Sequence, residues 1–375
     1  MISRLTLNRI ISRIEEGKRA VIILGPRRCG KTTLLHMIVE RMGYPHTWFN
    51  GDDPADARLL EESSVSRLRT IIGKSRLMII DEAQNIANIG KIVKLITDHL
   101  KQVSPVISGS SAFELANEFN EPLTGRKYEY MLFPFSFAEM VNDQGLKNEI
   151  QQIENRLIFG SYPEIVNHPG DEKELLMELS TSYLYKDIFK YGGIKKPNEL
   201  EKIVQNLAWQ LGSEVVISEL ARSSGVSAIT VERYLDLLEK TFVIFRLPAL
   251  ARNLRNEIKK SKKVYFFDNG VRNAIIGNFN LPGNRNDIGP LWENYLVSER
   301  MKFNHYRRFY GSSYFWRTNQ QQEIDYIEES DGKFSPFEFK WNLGKHPRFP
   351  ATFLRNYPVS ETVVVTPSNI EQFLT

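Results

Sequence analysis

A glycine-framed loop, two acids and a pair of lysines carry the chemistry legible in this 375-residue chain. Within "GPRRCGKTT", residues 25–33, Gly25, Gly30, Lys31 and Thr32 meet the spacing G-x-x-x-x-G-K-[ST]. Glycines at those places let the backbone turn its N–H groups onto phosphate oxygens. Lys31 then reaches the β- and γ-phosphates, and the Thr32 hydroxyl ligates magnesium. Such a loop needs an acid at the end of a neighbouring strand. "RLMIIDEAQ" supplies Asp81 to hold the metal through water and Glu82 to polarise a water for attack on the γ-phosphate. The blander reading of the same two acids is a helix start, where carboxylates suit the dipole. Ser110, with Ser111 as alternate, ends the apolar run "SPVISGSS" and either senses the γ-phosphate or caps the next helix.

A second constellation lies near the C-terminal end of the sequence. "EIDYIEE" and "FSPFEFKW" read as two strands, and Asp331-Gly332 between them suits a two-residue type I′ hairpin turn. That turn sets a register in which Asp325 faces Glu338 and Glu323 faces Lys340. Strand residues two apart share a face, so Asp325, Glu338 and Lys340 project to one side. Carboxylates so close repel, and a cation relieves them. Either a metal sits on Asp325 and Glu338, or Glu338 and Lys340 form an ordinary exposed pair.

The elements that must position these groups follow from periodicity. "AVIIL" before the loop is a short buried strand of the parallel kind, and "TTLLHMIVERM" after it has helical spacing. Residues 77–80 form a second apolar run ending at Asp81, "SPVIS" is a third, and residues 128–133 form the fifth strand. Further on, "VVISELARSSGVSAITVERYLDLLEKTFVIFRL" reads as helix, glycine turn, helix and strand, the pattern of a winged helix. Ser218 and Ser227 are its expected N-caps, and Leu220, Val231, Tyr234, Leu235 and Leu238 belong to its apolar face. Glu232, Asp236 and Glu239 oppose Arg233 and Lys240 on the second helix, a balance that argues against a seat in a DNA major groove. Arg252, Arg255, Lys259, Lys260, Lys262 and Lys263 form a basic run that contacts phosphates from a wing-like hairpin or is simply a solvated turn.

Composition narrows the class. No apolar run reaches the roughly 18 residues of a membrane span, and "MISRLTLNRIISRIEEGKRA" has charges at helical intervals, so a cytoplasmic protein with no membrane partner is expected. One cysteine leaves no internal disulfide, and six scattered histidines argue against structural zinc. The net charge of +4 permits nucleic-acid binding without demanding it.

The order of the loop, "TWFNGDD", "MIIDEAQ", "VISGSS" and "LTGRKYEYMLFPFSFAEM" resembles a bacterial and archaeal AAA+ ATPase family with an AAA_14-type N-terminal domain. Its C-terminal half is the domain of unknown function 4143, and "GSYPEIV" at residues 160–166 resembles that family's Gly-Tyr-Pro segment. The resemblance spans nearly the whole chain. It implies an α/β P-loop core with a parallel sheet ordered 5-1-4-3-2 at residues 1–145, a helical lid at 146–205, a winged helix at 206–285 and a PD-(D/E)XK nuclease-like domain at 286–375. ATP and Mg2+ are the implied cofactors, held by Gly25, Pro26, Arg27, Arg28, Cys29, Gly30, Lys31, Thr32 and Thr33, with Thr32 and Asp81 on the metal. No guanine-reading N/T-K-x-D segment stands out.

The same resemblance makes Arg126 a finger for a neighbouring subunit's nucleotide in a homo-oligomer, against a surface arginine or internal salt bridge. Arg156 is a sensor-2 candidate or a solvated helix residue. With Glu293 from a preceding helix, Asp325, Glu338 and Lys340 resemble a nuclease site whose acids bind magnesium while the lysine orients a water. Arg27 and Arg28 point to solvent, a surface ion pair or an interdomain latch. Cys29, near the positive end of the following helix, is an oxidisable thiol of lowered pKa or a tolerated small side chain. The expected function is Mg-dependent ATP hydrolysis coupled to DNA processing. The alternative is a nucleotide-controlled regulatory or scaffold protein whose nuclease-like domain binds a partner and cuts nothing.

Overall fold

The computed structural model describes residues 2–17, 19–61, 64–110, 123–183, 197–251, 262–342 and 348–375. It divides into one unit formed by Met1–Phe135 with Lys240–Phe242, and another formed by Ser136–Glu239 with Val243–Thr375.

The first unit places α1 (Leu7–Glu15), β1 (Ala20–Leu24), α2 (Lys31–Met42), β2 (His46–Asn50), α3 (Pro54–Glu61), α4 (Val65–Ile72), β3 (Leu77–Asp81), α5 (Ile89–His99), β4 (Ser104–Gly109) and β5 (Lys127–Met131) in chain order. All five strands run parallel in the order β2-β3-β4-β1-β5, the expected sheet read from its other edge. Every residue of β1 and β3 is buried. Alternation along the strands explains how. Ala20, Ile22, Leu24, Met78 and Ile80 pack into one apolar cluster with residues of α3, α4 and α5, while Val21, Ile23, Leu77 and Ile79 join Ile10 and Ile14 of α1 and Leu34, Leu35 and Ile38 of α2. β5 ends short of residue 133: the Leu132 N–H still donates to the Leu24 carbonyl at 2.7 Å, and Pro134 has no N–H to offer.

In the second unit, described helices at Phe137–Gln144, Leu146–Gln151, Ile153–Phe159, Pro163–Asn167, Glu172–Glu178 and Pro197–Trp209 come first. The helices Ile217–Ser224 and Ala228–Lys240 follow, joined through Gly225 at φ +76°, then an antiparallel hairpin of β6 (Ile244–Pro248) and β7 (Lys262–Phe266). Ser227 accepts the Thr230 N–H at 3.2 Å, as a cap does. Ser218 does not cap: the first of these helices already begins at Ile217, behind Val216. Arg246 on β6 binds Asp236 at 2.6 Å, Glu239, and Glu232 at 3.5 Å, so the acids of the second helix are neutralised within the unit. Arg252, Arg255, Lys259 and Lys260 lie outside the described residues, as does Ser111.

The chain then forms a 20-residue helix, Ile288–Arg307, and a four-stranded sheet ordered β11-β10-β9-β8, with β8 Ser312–Arg317, β9 Glu323–Ser330, β10 Lys333–Phe339 and β11 Val363–Val365. Asp331 at φ +52° and Gly332 at φ +75° make the tight turn, and the ladder runs from Lys333 opposite Ser330 to Phe337 opposite Tyr326. Asn294 of the long helix accepts the Phe266 N–H at 2.7 Å and donates to the Phe266 carbonyl at 3.1 Å, tying that helix to β7.

Gly25 is where the fold meets the loop most tightly, since a Cβ there would stand 2.0 Å from the Leu132 carbonyl oxygen. Gly25→Ala is expected to cost about 2–4 kcal/mol of stability in the first unit and to abolish nucleotide affinity. An unchanged melting temperature with unchanged affinity for a fluorescent nucleotide would contradict this packing.

Candidate nucleotide site and acid–lysine cluster

The loop leaves β1 and turns into α2 through Gly30, whose φ of +94° is the left-handed conformation glycine adopts without a Cβ penalty. Lys31, 4% exposed, donates its ammonium protons to the carbonyls of Gly25 at 3.1 Å and Pro26 at 2.8 Å. Among the described residues no carboxylate pairs with it. A buried ammonium at the mouth of α2 without a counter-charge fits an anionic phosphate. Thr32 and Thr33 begin the helix exposed, and the Thr32 hydroxyl donates to Asp81 Oδ2 at 2.6 Å. That hydroxyl–carboxylate pair has the hard oxygen donors magnesium takes.

Asp81 ends β3 and receives a second hydrogen bond, from the Ser108 hydroxyl of β4. The next residue, Glu82, turns out of the strand at φ +48°, its N–H shared between Asp81 Oδ1 at 3.1 Å and Ser108 Oγ at 3.2 Å. Its carboxylate accepts from the Gln84 side-chain amide, and Gln84 Oε1 in turn accepts the Ser110 N–H at 3.2 Å. Ser110 is buried and its hydroxyl has no hydrogen-bond partner among the described residues. Loop, Asp81, Glu82 and Ser110 thus converge at the C-terminal ends of three adjacent strands, the place where open α/β sheets bind ligands.

Three contributors escaped the sequence. Ser108 stands beside Asp81 because Ile80 pairs with Ile107 across the parallel strands, a register no local pattern encodes. Gln84 sits in "DEAQ" one turn beyond the acids, which was the available signal. Arg4 binds the Cys29 carbonyl at 3.3 Å and the Phe133 carbonyl, with its guanidinium 4.9 Å from the Phe135 ring, and so clamps the loop to the chain beyond β5. Of the two readings of Cys29 the structure takes the plainer: its thiol is fully buried against the Leu132 carbonyl at 3.4 Å, and burial pushes its pKa up, outweighing Lys31 and Arg4. It is a core side chain, not an oxidisable thiolate. Arg28 is exposed at φ +54° and Arg27 half-buried. Arg126 is paired inside its own unit with Asp98 of α5 at 2.8 Å, a contact that holds the Asp98 carboxyl below its usual range. Arg156 is not on a solvated face: it is buried in a two-point bond to Glu149 at 3.0 and 3.1 Å.

In the second unit, Asp325, Glu338 and Lys340 meet. The Lys340 ammonium lies 3.0 Å from Glu338 and 3.6 Å from Asp325, and Asp325 also accepts the Phe339 N–H at 2.8 Å. Burial, with Asp325 adding to it and Lys340 opposing it, pushes Glu338 up to about 7. Glu293 goes elsewhere. Its Oε1 takes the Lys263 ammonium at 2.9 Å and the Tyr265 hydroxyl at 2.6 Å, and Lys263 also binds Glu323 at 2.7 Å. Lys263, read from the sequence as a phosphate contact or part of a solvated turn, is 3% exposed and faces carboxylates; its alternation on β7 with exposed Lys262 turns it inward. Burial alone would lower its pKa, but Glu293, Glu323 and Asp325 outweigh that and keep it charged. Among the described residues no three acidic, histidine or cysteine side chains converge on a metal-sized point. No described helix is long and apolar enough to cross a membrane.

Residues 17–141 match the model of an AAA domain, residues 150–281 a domain of unknown function, DUF8612, and residues 288–374 another, DUF4143. The expected C-terminal half therefore matches two separate models. The chain is 26% identical over 381 residues to an uncharacterized protein of Mycobacterium tuberculosis, covering 95% of this chain and 81% of that one. An uncharacterized protein of Haemophilus influenzae is 24% identical over 303 residues, covering 74% of each. Among solved structures, a Walker-type ATPase of Pyrococcus abyssi superposes with a TM-score of 0.50 at 15% identity, over 74% of this chain and 96% of that one. These likenesses and the sheet define a P-loop ATPase fold of the AAA type, which supports ATP binding and hydrolysis.

Glu338 generates a pH dependence. Its folded pKa of about 7 stands above the ordinary 4.5, so the folded chain binds more protons between those values and loses stability as pH rises through them. Glu338→Gln is expected to remove that loss, raising stability at pH 8 relative to wild type by about 1–3 kcal/mol while changing little at pH 5. Thermal melts at the two pH values check the sign.

Proposed function

We propose that this protein is a magnesium-dependent ATPase whose hydrolysis cycle controls a second, non-cutting unit that binds a partner. The 2.6 Å bond between Thr32 and Asp81, set beside the uncompensated Lys31 ammonium, carries the reading. Lys31 and the loop N–H groups would bind the β- and γ-phosphates of ATP, and Thr32 and Asp81 would hold Mg2+, which when bound neutralises phosphate charge. Glu82 stands next to them and is the group to orient the attacking water and take its proton; Gln84 holds its carboxylate and Ser108 its backbone N–H.

For the second unit, the helix pair and hairpin support a winged helix, and the sheet with Asp325, Glu338 and Lys340 supports a PD-(D/E)XK-like fold. DNA is the partner that such elements suit. Lys263 favours the non-cutting reading, because it engages the Glu293 carboxylate that a nuclease site would present to metal.

Lys31→Ala is expected to weaken ATP binding by more than about tenfold, and Glu82→Gln to retain binding while slowing phosphate release by about 100-fold or more. Unaltered turnover in both variants would remove the ATPase assignment. Wild-type protein incubated with ATP, Mg2+ and linear, branched or single-stranded DNA is expected to leave the DNA intact; cleavage lost in Asp325→Ala would instead establish a nuclease.

A further inference from the structure

We propose that the Lys263 ammonium is a built-in counter-ion that takes the charge role of a divalent metal in the acid cluster of the second unit, making that cluster metal-independent. The inference rests on the non-cutting reading above and deepens it.

Four carboxylates, Glu293, Glu323, Asp325 and Glu338, come together from a helix and two strands. Oxygen donors of this kind suit Mg2+ or Mn2+ in general, yet no three of the described acids converge on a metal-sized point here. Two features redirect them. Lys263 reaches in from β7, a different element, and sits between Glu293 at 2.9 Å and Glu323 at 2.7 Å, its ammonium also 5.5 Å from the Phe315 ring centroid. The Tyr265 hydroxyl, two residues along the same face of β7, donates to the same Glu293 oxygen at 2.6 Å. Both donors thus engage one oxygen of Glu293, while Lys340 meets the charge of Asp325 and Glu338. Arg317 adds positive charge at 3.8 Å from Glu323, while itself bound to Glu214 at 2.7 Å.

An ammonium and a divalent cation cannot share this space. At 3% exposure Lys263 has no solvated alternative position that keeps its charge without breaking both ion pairs. A metal entering the cluster would have to displace it. The lysine also does what a metal would do structurally: it joins β7 to the Ile288–Arg307 helix and to β9, so the cluster holds its shape without a diffusible ligand.

The test is Mn2+ binding, followed by electron paramagnetic resonance, on full-length chains carrying Asp81→Asn to silence the nucleotide site. No Mn2+ dependent on Asp325 is expected in that background. Adding Lys263→Met is expected to create one Mn2+ site at least about tenfold tighter, lost again on further Asp325→Asn. Mn2+ bound in the Lys263 background and removed by Asp325→Asn or Glu338→Gln overturns the proposal, as does a folded Lys263→Met chain that gains no Mn2+. If circular dichroism shows that Lys263→Met does not fold, the Lys263 background decides alone: bound Mn2+ refutes, absence sustains. DNA cleavage by wild type would strike the non-cutting reading itself, whereas Mn2+ binding without cleavage would strike only the role of Lys263.

Discussion

The hydrogen bond from Thr32 to Asp81 is the contact on which the proposed nucleotide site of the first unit depends. It joins the first turn of α2 to the end of β3 through two residues 49 apart in sequence. The strands behind them are not even neighbours: β4 lies between β1 and β3. The bond therefore forms only if three parallel strands align in register and both faces of the sheet are filled. β1 satisfies that demand by sending alternate residues into two separate apolar clusters, so that any polar residue within it would be buried on one face or the other.

Around that bond the site is held by groups that touch no ligand chemistry of their own. Ser108 fixes the orientation of the Asp81 carboxylate, Gln84 links Glu82 to Ser110, and Arg4 fastens the loop backbone to the chain after β5. Each is a buried or half-buried polar contact at a strand end. In a region of low dielectric such bonds are strong when complete, and they hold the Asp81 and Glu82 carboxylates in one arrangement.

The second unit solves a different electrostatic problem. Its carboxylates are gathered by a helix and a hairpin, and cations from β7, β8 and the end of β10 are arranged to meet them. Burial makes the balance strict: an unmatched charge would cost more than the contact that brought it inside. The upward displacement of Glu338 comes first from its burial and then from Asp325, against which Lys340 works.

What the sequence determined is local or locally propagated. The loop, its flanking strand and helix, and the acids after β3 were legible because their spacing is read within a few residues. The β9–β10 register was legible for the same reason: a two-residue turn at Asp331-Gly332 fixes which residues face each other several positions away. The order of the parallel strands was implied by the family resemblance, and the structure agrees with it. The tertiary structure alone decided the partners. Lys263 looked like one member of a basic run until β7 turned it toward Glu293, 30 residues on, and Arg4 meets Phe133 across 129 residues. For Cys29 two readings, a reactive thiol and a tolerated small side chain, stayed open until the core closed over it. Neither the packing of one element against another nor the dielectric around a charge is written in local spacing, and those two quantities fix what a lysine, an arginine or a thiol will do.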